Sequence, residues 1–106
     1  MIDFVTIGTN NLEGAGVFYD AVFDVLGGQR STEYEGLIMW SGKSGTGSVA
    51  VITPFDKGSA TVGNGTMLAL AAGDPETVQA VHAKAIKMGG TDEGAPGPRG
   101  TGGFYG

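Results

Sequence analysis

Ile2-Asp3-Phe4-Val5-Thr6-Ile7, a polar break at Asn10-Asn11, an amphipathic run from Leu12 to Leu26, and Gly27-Gly28 form the stretch on which the fold turns. The same order returns later. Thr66-Met67-Leu68-Ala69-Leu70-Ala71 reads as a second short apolar strand. Asp74-Pro75 follows, then a helix over Glu76 to Met88, then Gly89-Gly90. Two copies with the same order and near-identical spacing predict one supersecondary unit used twice within a single domain.

The helix assignments rest on periodicity and punctuation. Leu12, Ala15, Tyr19, Val22 and Leu26 recur at three- and four-residue steps, and Phe18 and Phe23 widen the stripe. Asn10 or Asn11 supplies the N-cap, and Gly27 suits the left-handed residue that stops a helix. Glu13, Asp20 and Asp24 are expected on the wet face. In the second copy Asp74 caps, Pro75 occupies the first helical position, and Val78, Val81, Ala85 and Met88 make the buried stripe.

Between the copies, Ser31 to Tyr34, Leu37 to Trp40 and Ser48 to Thr53 read as strands. Glu35-Gly36 and the Gly42 to Gly47 turn separate them. The first unit, residues 1–65, is thus strand, helix, three strands. The second, residues 66–106, has only Thr91 to Gly106 to complete it, one or two strands fewer. An open apolar edge is expected there, covered by another chain or by residues beyond Gly106.

Composition narrows the function. A chain of 106 residues makes one domain, and 21 glycines mark its turns and strand ends. A net charge of −5 argues against nucleic acid or an anionic membrane surface and favours a small-molecule or protein partner. The absence of cysteine removes disulfides, thiolate metal sites and cysteine nucleophiles together. No apolar run approaches the roughly 20 residues that span a bilayer, so a cytoplasmic protein is expected.

Met1-Ile2-Asp3-Phe4-Val5-Thr6-Ile7-Gly8, Asn11-Leu12-Glu13 and Phe18-Tyr19-Asp20-Ala21-Val22 resemble the glyoxalase/bleomycin resistance/dioxygenase proteins, the vicinal oxygen chelate superfamily. Val81-His82-Ala83-Lys84-Ala85, Gly89-Gly90 and Gly94-Ala95-Pro96-Gly97-Pro98-Arg99 are similar to the second half of small members. The resemblance implies an α+β fold of paired βαβββ modules whose mixed sheet curls around a cleft, here with the second module incomplete. It also implies a divalent metal between the sheet faces and a homodimer.

The family's usual first ligand, a histidine, falls on Phe4, and its counterpart in the second copy falls on Met67. Phenylalanine cannot coordinate, and a thioether is a poor donor to oxygen- and nitrogen-seeking divalent ions. The two carboxylates that complete the family's set have no match, since Ser48 to Thr53 holds no acid and the final strand is missing. No metal cofactor is expected. Strand alternation puts Phe4 with Ile2 and Thr6, and Met67 with Ala69 and Ala71, on the cleft side, while Val5, Ile7, Leu68 and Leu70 face the helices.

The expected ligand-binding cleft therefore holds Phe4, Thr6, Trp40, Met67, Ala69, Arg99 and Tyr105. Arg99 would hold a carboxylate or phosphate, and Tyr105 would stack or donate a hydrogen bond. Trp40 serves as a stacking surface or fills the core. His82, the sole histidine, lacks a partner at ligand spacing and reads as a half-buried structural residue. Glu33 and Glu35 alternate on one side of a strand, a spacing that suits either a carboxylate pair for acid-base work or solvated edge charges. No nucleophilic triad or phosphate loop is present.

Three functions follow. The first is a metal-free binder of a small organic molecule, as in the drug-resistance branch of the family. The second is a lyase, isomerase or dioxygenase, of lactoylglutathione-lyase or dioxygenase type, with ligands supplied by a missing tail or a second chain. The third is a dimerisation module without ligand.

Overall fold

A computed structural model describes residues 1–106. The first half holds strand β1 (Phe4–Gly8), helix α1 (Leu12–Val25), and strands β2 (Gln29–Tyr34), β3 (Leu37–Ser41) and β4 (Ser48–Ile52). These four strands form one mixed sheet in the order β1-β4-β3-β2, parallel between β1 and β4 and antiparallel elsewhere. The second half holds helix α2 (Pro75–Lys87) and a short hairpin of β5 (Pro98–Arg99) and β6 (Phe104–Tyr105).

Both helices begin and end by the same chemistry. Asn11 Oδ1 accepts from the Gly14 amide at 2.9 Å, and Asp74 Oδ1 accepts from the Thr77 amide at 2.7 Å. Each carboxamide or carboxylate thus satisfies an amide that has no partner within its helix. At the far ends, the Gly28 amide donates to the Phe23 carbonyl and the Gly90 amide to the Ala85 carbonyl, both at 2.8 Å. Gly27 at φ +75° and Gly89 at φ +105° make the left-handed step that these closures require. Asn10 has a different task from its neighbour. Its side chain both donates to the Ala60 carbonyl and accepts from the Ala60 amide, tying the distant 57–62 loop to the β1–α1 break.

The core is thin and one-sided. Val22, Phe23, Ile38, Trp40, Val49 and Val51 are buried together, with Val5, Ile7, Leu12, Ala15, Phe18 and Tyr19 packed around them. Cross-strand register explains the grouping, because Val5 pairs with Val49, Ile7 with Val51, and Trp40 with Val49 on the face that receives α1. Helix α2 has no fully buried residue and reaches this cluster only through Val81 and Ala85. Its apolar stripe is therefore half-buried rather than buried as expected.

The segment Thr66 to Ala71 departs from expectation. It carries no ladder hydrogen bonds, because β5 and β6 pair only with each other and no strand runs beside it. Its alternation survives in weaker form: Met67 is 85% exposed, whereas Leu68 and Leu70 are 40% and 38% exposed. No helix is long and apolar enough to cross a membrane.

Candidate functional site

The residues expected to line one cleft fall in three places. Phe4 and Thr6 stand on the face of the sheet turned away from α1, where Phe4 is 49% exposed. Strand alternation accounts for this, since Val5 and Ile7 are taken by the core on the other side. The same open face carries Leu37, Met39 and Ile52, by their register with Ala50 and with one another.

Trp40 is the correction. It belongs to the core on the α1 side, not to the open face with Phe4, and is only 3% exposed. The odd-even position of Trp40 in β3 matches Ile38, and both are drawn to the helix side by the neighbouring Val49 and Val51. Its ring sits 5.8 Å from Tyr19 and 5.5 Å from Phe23, and its indole N–H donates to Asp20 Oδ1 at 2.8 Å. One edge of Trp40 borders a small cleft of about 380 Å³ with Lys43 and Leu70, on that same side.

Asp20 is exposed, as expected of the wet helix face, yet it is also engaged by the sheet. Besides Trp40 it accepts two bonds from Arg30, from Nε and Nη2, each at 2.8 Å. Arg30 Nη1 donates to Glu33 at 2.6 Å, and the guanidinium carbon lies 5.7 Å from the Trp40 ring. The Arg30 bonds hold the Asp20 carboxyl below its usual range, and Asp20 in turn raises Arg30. Glu33 is thus engaged in a structural pair, and Glu35 lies in the β2–β3 turn outside the strand, so the two do not form a carboxylate pair.

The remaining expected residues do converge. Met67, Ala69, Arg99 and Tyr105 border an open hollow of about 690 Å³, a size within the range of organic-ligand pockets. Its walls come from the 67–75 segment, the first turn of α2 through Val78, and the β5–β6 hairpin. Gln79 Nε2 donates to the Tyr105 hydroxyl at 2.8 Å, which fixes the phenol against α2. Arg99 Nη2 donates to the Ala95 carbonyl at 2.9 Å, and no carboxylate pairs with it. Phe104, opposite Arg99 in the hairpin register, also borders the hollow and is 64% exposed. Gln79 falls outside the apolar stripe of α2, and Phe104 lies in a short glycine-rich segment without periodicity; the bond to Tyr105 brings in the first and the hairpin register the second.

His82 is half-buried, as expected, but it does have a partner. Its Nε2 lies 3.1 Å from Asp92 Oδ1, and the same oxygen accepts from the Gly94 amide at 2.9 Å. The Gly94 bond and then His82 hold the Asp92 carboxyl below its usual range. The pair pins residues 92–94 to α2 on the approach to the hairpin.

The donor set does not fit the divalent ion that the resemblance implies. Phe4 and Met67, on which the resemblance puts ligands, are not donors to such an ion and lie in separate places, and no three His, Asp or Glu side chains form a group that could hold one. Zinc sites in proteins take three or four such protein donors.

Comparison with known proteins supplies the lineage. The crystal structure of a glyoxalase/bleomycin resistance protein from Albidiferax ferrireducens T118 is 35% identical to this chain, with a TM-score of 0.85. The match covers 93% of this chain and 82% of that one. No protein-family model and no curated protein matches the chain. Identity at this level over nearly the whole length, joined to the mixed sheet and the two capped helices, shows that the chain belongs to the glyoxalase/bleomycin resistance protein family.

Proposed function

We propose that this protein binds a small organic molecule in the hollow between the 67–75 segment, the start of α2 and the β5–β6 hairpin, without a metal ion. The observation that carries the reading is the pairing of that hollow with the absence of a donor cluster. A wall of Met67, Ala69, Val78 and Phe104 offers dispersion contacts to an apolar guest. Binding of an organic guest needs no Lewis acid, and the reading agrees with the resistance half of the name its structural relative carries, a glyoxalase/bleomycin resistance protein.

The test is a thermal-shift and NMR titration of the whole chain with a panel of small aromatic compounds in EDTA. Saturable amide shifts clustered at residues 67–75 and 98–106 support the reading. Binding that appears only when a divalent ion is added contradicts it.

A second proposal concerns assembly. The outer edge of β1 is unpaired, and Phe4, Leu37, Met39 and Ile52 lie on a sheet face that no helix covers. These features favour a homodimer in which a second copy closes the open side. Light scattering across a dilution series tests it, with a monomer mass at all concentrations as the contradicting result.

A further inference from the structure

The two arginines of this chain are used in opposite ways. Arg30 is consumed by Asp20 and Glu33. Arg99 spends one donor on the Ala95 carbonyl and has no acidic partner, although the chain carries eleven acids. A guanidinium has five N–H donors in a planar fork that matches a carboxylate. Most of the Arg99 fork is therefore uncommitted, at the rim of an apolar hollow.

The surroundings of Arg99 narrow what it would meet. A β-carbon placed on Gly106 would lie 3.1 Å from the Phe104 ring and 3.9 Å from Arg99 Cγ, so the aromatic ring and the arginine stem converge on one point. Met67 supplies a polarizable sulfur on the opposite segment. Tyr105 accepts from Gln79 through its hydroxyl oxygen, which leaves its own O–H proton available to donate. The one acidic side chain at the wall is Asp74. Its Oδ1 is committed to the Thr77 amide at the positive end of α2, which offsets its charge toward a guest.

Resting on the binding reading above, we infer that the guest is an aromatic carboxylate: a ring held by Met67 and Phe104, with its anionic group on the Arg99 fork. The juxtaposition of a free guanidinium, an exposed aromatic ring and a thioether around one hollow carries this inference.

The experiment compares 2-naphthoate with its neutral isostere 2-naphthamide on the full chain, by NMR titration in EDTA. The expected result is naphthoate binding at least about tenfold more tightly, the scale of one charge-assisted hydrogen-bond pair. Arg99→Gln removes that preference, and Arg99→Lys keeps part of it; retained amide spectra verify that both variants fold. Equal affinity of the two probes at the hollow overturns the carboxylate assignment while leaving the organic-ligand reading intact. A naphthoate preference that survives in Arg99→Gln overturns the role of Arg99. Failure of both probes to shift any hollow residue overturns the inference, and the aromatic panel above decides the binding reading separately.

Discussion

Removing the Asp20 carboxylate tests the junction between α1 and the sheet at its most connected point. Asp20 accepts from the Trp40 indole and twice from Arg30. In Asp20→Ala the N–H of an almost fully buried Trp40 loses its acceptor, a loss of about 1 kcal/mol at the low end of the range, because water can approach beside the half-open carboxylate position. The bidentate ion pair is partly exposed on both sides and contributes about 0.5–1 kcal/mol more. The expected destabilisation is thus about 1.5–2 kcal/mol. Asp20→Asn keeps an oxygen for the indole and loses only the charge, so it costs about 0.5–1 kcal/mol. Trp40 is the single tryptophan, so its fluorescence in urea denaturation reads both variants directly. The pH dependence has a defined sign. Because the folded carboxyl titrates below its unfolded value of about 3.9, its contribution is complete above that pH and fades as pH falls through the folded pKa. The gap between wild type and Asp20→Ala should therefore narrow below about pH 4. Equal losses in the Ala and Asn variants, or a loss under about 0.5 kcal/mol in Asp20→Ala, would refute this reasoning.

Further expectations concern the frame and the approach to the hollow. Val51→Ala removes two methyl groups from a site with no exposure and should cost about 2 kcal/mol in the same urea assay. Asn11→Ala removes the α1 cap and should cost about 1 kcal/mol, whereas Asn10→Ala should act chiefly on the 57–62 loop, read as faster amide exchange at Ala60. Asp92→Ala frees the Gly94 amide and uncouples His82, so Gly94 exchange should accelerate while the α1 amides stay protected.

The parts of the fold written in periodic signals were legible in the sequence. Leu12, Ala15, Tyr19 and Val22 specify the face of α1, and Asn11, Asp74, Gly27 and Gly89 sit at helix ends that the structure reproduces within one residue. Alternation in β1 correctly sends Val5 and Ile7 inward. What failed was whatever depended on a neighbour. Thr66 to Ala71 has the composition of a strand, yet a strand exists only when another lies beside it, and here none does. Trp40 sits on the core side because of its register with Val49, which its own residues in β3 do not specify. Asp20 does lie on the exposed face, but its partners Arg30 and Trp40 come from strands remote in sequence and no pattern in α1 names them. The site divides the same way: Met67, Ala69, Arg99 and Tyr105 came together, while Phe4 and Thr6 stayed on the open sheet face.

Metal content after loading tests the central claim most directly. The full chain is incubated with excess Ni²⁺ or Zn²⁺, desalted, and its bound metal counted per chain. With Phe4 and Met67 where the resemblance puts ligands, and no convergent donor group, the account predicts metal well below one ion per chain. One tightly held ion per chain would contradict it.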